Sequence, residues 1–142
     1  MFSKEESRLL RHEFWTSFGK SFPRKWILYD TKIKGFSFKF HFDTKTALVA
    51  IDLEDDLENR IKYWEKLLSL QSVLIEDYLP DAIFEETYLL DNDKEISRVY
   101  VKLDKKVSIH NKNTWRDVME FFNKNMSLFE LFFEDFIDIF ID

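Results

Sequence analysis

The chain has 142 residues, 45% of them hydrophobic, with sixteen phenylalanines and only two glycines, a composition of a dense aromatic core joined by tight loops that excludes intrinsic disorder. Without cysteine it can have no disulfide framework, thiolate nucleophile or zinc-cysteine site, and with no run of about 18 apolar residues or a signal-peptide core it reads as a soluble cytoplasmic protein. A net charge of −6 argues against generic nucleic-acid binding, and the length suits one domain over residues 1–142.

In chain order, Ser3-Lys4-Glu5-Glu6 is a capping box, and it predicts a first helix to about Gly19 with Leu10, Phe14 and Phe18 on one face, widened by Leu9 and Trp15. Pro23 stops any continuation. Trp26-Ile27-Leu28-Tyr29, followed by alternation through Thr31, Ile33 and Gly35, predicts a first strand. A hairpin then follows over Gly35 to Asp56. Phe36, Phe38, Phe40 and Phe42 alternate with Ser37, Lys39, His41 and Asp43, the period of a strand with one buried face. After the polar turn Asp43-Thr44-Lys45-Thr46, the run Ala47 to Leu53 is apolar on both faces until Asp52, which places it near the sheet centre.

Asp55 or Asp56 caps a long helix in which Leu57, Ile61, Trp64, Leu68, Gln71, Ile75 and Tyr78 recur at steps of four and three, with Pro80 as its stop. Ile83 to Leu90 and Ile96 to Leu103 form a second hairpin around Asp91-Asn92-Asp93-Lys94. On its return strand Val99, Val101 and Leu103 alternate with Arg98, Tyr100 and Lys102, giving one buried face and one basic-aromatic face. Asn113 or Thr114 caps a helix that starts at Trp115 and carries Val118, Met119, Phe121 and Phe122; Asn123-Lys124-Asn125 weakens it, and Ser127-Leu128-Phe129-Glu130 reads as a capping box opening a separate final helix. The expected architecture is α+β, with one mostly antiparallel sheet of about five strands and packed helices in the order αβββαββα. A runner-up topology pairs the segment after the long helix in parallel with an earlier strand.

The final helix is apolar around most of its circumference and needs cover on more than one side. This points to a homodimer with Phe129, Phe133, Phe136, Ile137 and Phe140 at the interface, and with the acidic ridge Glu130, Glu134 and Asp138 at its rim, neutralised by Arg8 or Arg11. The competing reading is cover by the first or the central helix within one chain.

Three histidines, His12, His41 and His110, come from separate elements with no helical pairing, so a shared metal site is not expected. Two isolated glycines cannot build a phosphate loop, no serine stands in a nucleophile elbow, and no catalytic residue or cofactor is assigned. The bases Lys4, Arg8, Arg11, Arg24 and Lys25 read as a solvated face or as partners of the acidic C-terminus; as a nucleic-acid-binding face they belong to the alternative reading only.

The order helix, three strands, helix, strand resembles the core of the PD-(D/E)xK nucleases, in which an acid-x-lysine pair and a second carboxylate hold Mg²⁺ and activate water. The nearest match is Ile51-Asp52-Leu53-Glu54, with Glu54 where the lysine belongs and Gly35 rather than an acid opening the preceding strand. Asp52 and Glu54 are therefore metal ligands only in an alternative reading with a degenerate site, and more simply a strand end and an acidic helix start.

Arg11-His12-Glu13-Phe14-Trp15, the helix end Leu74-Ile75-Glu76, the strand segment Phe84-Glu85-Glu86 and the late Trp115 together make the chain resemble an uncharacterised prokaryotic family called domain of unknown function 4268. Members often sit behind nuclease-like domains, so the resemblance implies an accessory or partner-binding role and transfers no catalytic residue. The expected function is a non-catalytic interaction or accessory module that binds protein partners rather than nucleic acid or membrane; the alternative is a nuclease-related, nucleic-acid-associated protein with a degenerate active site.

Overall fold

The Ser3 hydroxyl accepts from the Glu6 amide while the Glu6 carboxylate accepts from the Ser3 amide, so the expected capping box opens α1 (Lys4–Ser21) in the computed structural model, which describes residues 2–141. Phe14 and Phe18 are its buried residues. The chain continues through β1 (Phe36–Phe42), β2 (Ala47–Leu53), α2 (Leu57–Ser69), α3 (Gln71–Asp77), β3 (Ile83–Leu89) and β4 (Glu95–Lys102). A single helical turn at Lys112–Thr114 then leads into α4 (Trp115–Asp135) and α5 (Ile137–Ile141). The four strands form one sheet in the order β1-β2-β4-β3. Every pairing is antiparallel, so the parallel alternative fails. Among the described residues no helix is long and apolar enough to cross a membrane.

The sheet has four strands rather than about five because the expected first strand, Trp26 to Gly35, is a loop. Leu28, Lys32 and Gly35 have positive φ angles of 47°, 66° and 76°, which no strand accommodates. The buried Thr31 hydroxyl donates to the Phe36 carbonyl at 2.7 Å and accepts from the Ile33 amide at 3.1 Å, folding the segment back on itself. Both hairpins are as expected. Asp43 Oδ1 accepts from the Lys45 and Thr46 amides at the first turn, and Asn92 Oδ1 accepts from the Lys94 amide at the second.

The helical boundaries also differ. Asp56 caps α2 through the Asn59 amide, but the expected long helix leaves helical geometry at Leu70, next to Ser69, whose hydroxyl donates back to the Lys66 carbonyl. Thr114 stands at the N-cap of α4, which starts at Trp115 as expected, but makes no side-chain capping bond; Asn111 caps the preceding turn. Instead of two helices separated at Asn123 to Asn125, α4 runs unbroken. There the Asn125 amide donates to the Phe121 carbonyl and the Ser127 hydroxyl to that of Asn123, so these polar side chains bond within the helix and Ser127 opens nothing.

All helices pack on one face of the sheet. Phe36, Phe38 and Phe42 of β1, with Val49 and Ile51 of β2 and Val99 of β4, share a core with Phe14, Trp64, Leu74, Trp115, Phe122 and Phe132. Phe133 lies 5.3 Å from Phe36 and 5.4 Å from Phe38 between ring centroids, and Phe140 packs 5.4 Å from Phe36. The stripe expected at a dimer interface is thus covered in large part by its own chain: Phe129, Phe133 and Phe140 are buried, and Phe136 and Ile137 pack against the same core. Lys66 of α2 holds the fold-back by donating to the Ile139 and Phe140 carbonyls.

Gly35 is required where the loop enters β1. A Cβ there would stand 2.7 Å from the Asp55 Cβ and 3.0 Å from the Glu54 carbonyl oxygen, at a φ that side chains rarely adopt. Gly19, by contrast, has open space around it. Denaturant melts should show Gly35→Ala losing about 2–4 kcal/mol, from the positive φ and the forced displacement together. Gly19→Ala should gain up to about 1 kcal/mol from helix propensity.

Candidate interaction surface

Along β2, alternate side chains point away from the helices, and the one at the Asp52 position is charged. The β2–β4 register sets Asp52 opposite Arg98. Arg98 Nε and a terminal nitrogen donate to the two carboxylate oxygens at 2.7 and 2.8 Å, a bidentate pair whose side chains are 1% and 8% exposed. Burial works against the charge on Arg98, but the Asp52 carboxylate outweighs it and the guanidinium pKa lies above its ordinary value.

Tyr88 completes the pair's enclosure, its ring centroid 4.5 Å from the guanidinium carbon. It reaches that position because the β3–β4 register shifts between Glu85 and Tyr88, a bulge fixed from the β4 side by the Ser97 hydroxyl donating to the Glu86 carbonyl. Tyr100 donates to Glu85, and burial together with that carboxylate pushes the phenol up to about 12. Leu48, Ala50 and Tyr100, with Tyr88 against them, form a second apolar cluster made of strand residues alone.

Around this centre lies a polar rim. Lys39 is 3.6 Å from Glu54 and sits 5.0 Å over the Tyr29 ring; despite partial burial, those two groups raise its pKa. Lys94 reaches Glu54 from the other side at 3.6 Å. A hollow of about 390 Å³ opens between the two hairpins, bordered by His41, Asp43, Leu48, Tyr88, Leu90 and Arg98. His41 Nε2 is 2.9 Å from Asp43 Oδ2, and His41 with the Lys45 and Thr46 amides overcomes burial to lower the Asp43 pKa.

The carboxylates that could hold a metal ion here are consumed by neighbours. A cation at Asp52 would have to displace a buried guanidinium from both oxygens, and Glu54 faces Lys39 and Lys94. Among the described residues no group of three or more His, Asp or Glu is placed to hold a metal ion. Of the five N-terminal bases, Lys4, Arg8 and Arg11 follow one another along α1, with Arg8 folded onto Glu5 at 2.6 Å. Arg24 is drawn away to Glu130 at 2.6 Å and to the Ser127 hydroxyl, stacking 4.6 Å over Trp26. Lys25 is exposed.

Glu130 is therefore no rim residue. It is 2% exposed and accepts from Arg24 and from the Ile27 amide, pinning the loop after α1 to α4; neither Arg8 nor Arg11 is its partner. Sequence reasoning missed the buried anchoring role of Glu130, and it missed Tyr88 and the Asp52–Arg98 pairing. The available signals were one carboxylate inside the apolar run Ala47 to Leu53 and one guanidinium at a matching phase of β4.

Compared with known proteins, a family model described as domain of unknown function (DUF4268) matches residues 10–137. No curated protein and no solved structure matches the chain.

Breaking the buried pair on one side leaves a charge without compensation, so Asp52→Ala should cost about 3–5 kcal/mol in urea unfolding, whereas Asp52→Leu with Arg98→Met should stay within about 2 kcal/mol of the parent. Folding favours the neutral Tyr100 phenol, so its contribution to stability is full below pH 10 and is lost as the pH rises toward about 12. Melting temperatures across that window should fall less steeply for Tyr100→Phe than for the parent.

Proposed function

The chain belongs to the DUF4268 family, whose model spans most of its length, and on that premise we propose that it is a non-catalytic interaction module that docks a protein partner. The observation that carries this is the one-sided sheet. Helices cover one face, while the other is held rigid by mutually satisfied charges and presents Tyr88 and His41 at a hollow, with Lys39 stacked on Tyr29 elsewhere on its rim. Aromatic side chains with little rotamer freedom, set among polar groups that already have partners, suit docking better than turnover. A second copy of the chain is one partner this surface admits.

The alternative, a nuclease-related protein acting on nucleic acid through a degenerate site, draws on the spacing of Lys4, Arg8 and Arg11 along α1. It is weakened by the pairing of Arg8 with Glu5, of Arg24 with Glu130 and of Asp52 with Arg98.

Site-specific photo-crosslinkers separate the two in the cells that make the protein. A crosslinker at Lys102, exposed at the end of β4 on the uncovered face, should give a discrete protein adduct that one at Arg116 on α4 does not. Nucleic-acid adducts, or duplex binding by the purified chain that weakens steeply with salt, would instead establish the alternative.

A further inference from the structure

Strand β3 lies at one edge of the sheet and pairs only with β4. Its backbone makes no other backbone hydrogen bond among the described residues, whereas the opposite edge strand, β1, is met from outside by the loop before it, the Phe38 amide donating to the Leu28 carbonyl at 2.9 Å. Alternate amides and carbonyls of β3 therefore face outward, the usual template for an added strand.

A second observation lies above that edge. On α2, Leu57, Ile61, Trp64 and Leu68 recur at steps of four, three and four along one side of the helix. Trp64 is buried against Phe84 of β3, with ring centroids 5.9 Å apart, but Leu57, Ile61 and Leu68 are 62%, 41% and 42% exposed. As β3 is the last strand, the apolar stripe overhangs the sheet. A fifth strand beside β3 would set its helix-side residues beneath Ile61 and Leu68.

Charge selects the occupant. Glu85 and Glu86 lie in β3, Asp81 precedes it, and Asp91 and Asp93 follow. The bases near this edge already have partners: Arg60 pairs with Glu95, Lys94 with Glu54 and Arg98 with Asp52. A second copy presenting its own Glu85 and Glu86 would meet like charges, and the bulge between Glu85 and Tyr88 further opposes long self-pairing.

Resting on the docking-module reading, we propose that β3 accepts an extended segment of a partner protein whose residues alternate apolar and basic, apolar toward α2 and basic toward the uncovered face, where Glu85 lies, with Glu86 adding negative charge at the bulge. Main-chain bonds to β3 give the affinity, and the alternation gives the specificity.

The test is selection from a random decapeptide display library against the full chain, followed by mapping of the most enriched peptide on the protein's amide spectrum. Expected are peptides alternating apolar and basic residues, shift changes concentrated in Ile83–Leu89, and binding that weakens with added salt. Because Ile61, Leu68 and Glu86 are exposed, Ile61→Lys with Leu68→Lys, and separately Glu86→Lys, should keep the fold while weakening that peptide by at least about tenfold. Enrichment of acidic or unpatterned peptides, or no enrichment, overturns the proposal. A peptide that maps to the face around Tyr88 also overturns it while leaving the docking module standing, and the Lys102 crosslink decides that module independently.

Discussion

One buried ion pair determines which side of this sheet the helices can use. Asp52 and Arg98 stand at the sheet centre, each satisfying the other, and removing further water from them by packing a helix overhead would add desolvation without adding a hydrogen bond. The opposite face of the same strands carries Val49, Ile51 and Val99, beside the phenylalanines of β1, and gains by every apolar contact. The helices accordingly gather there, and the charged face is left to the strands. A one-residue slip between β2 and β4 would separate the pair and turn one of the two side chains into the phenylalanine core, so the interaction also fixes the register.

A second ion pair does for the loop what the first does for the sheet. Glu130 reaches from α4 to Arg24 and to the Ile27 amide, and with Thr31 it holds the chain between α1 and β1 in a shape that no local pattern specifies. Trp26 to Ile33 alternates as a strand would, yet the alternation reflects aromatic and aliphatic side chains reaching the core from a folded loop. The signal that mattered lay 103 residues away at Glu130. Hairpins, by comparison, were legible because their pattern and their turn chemistry are local: four phenylalanines at period two, and Asp43 positioned to accept from two turn amides. The start of the expected final helix was misread because Asn125 and Ser127, residues that weaken or cap a helix in isolation, found carbonyl partners within a continuing helix instead.

The candidate surface was legible only in fragments. Asp52 stood out as a carboxylate in an apolar strand, and β4 showed a basic-aromatic face, but joining them needs a register between segments 46 residues apart. Tyr88 was invisible for another reason: a bulge changes the phase of β3, and simple alternation from Ile83 does not account for it. The apolar end of the chain was legible in part, since Leu131, Ile139 and Ile141 do remain exposed. What a straight helix does not show is the break at Phe136, which returns Phe140 to the rings of Phe132 and Phe133.

These features meet in β3, which serves two surfaces at once. Inward across β4, its bulge delivers Tyr88 to Arg98, and the Ser97 hydroxyl secures the displaced Glu86 carbonyl. Outward, it has no backbone partner from its own chain among the described residues. The bulge is thus anchored wholly from the β4 side, and an occupant of the outer edge need not disturb the enclosure of the ion pair. It also divides the edge into two short segments flanked by carboxylates, a shape poor for indiscriminate strand pairing and compatible with a short basic segment. The irregularity that hid Tyr88 from the sequence pattern therefore keeps the open edge selective.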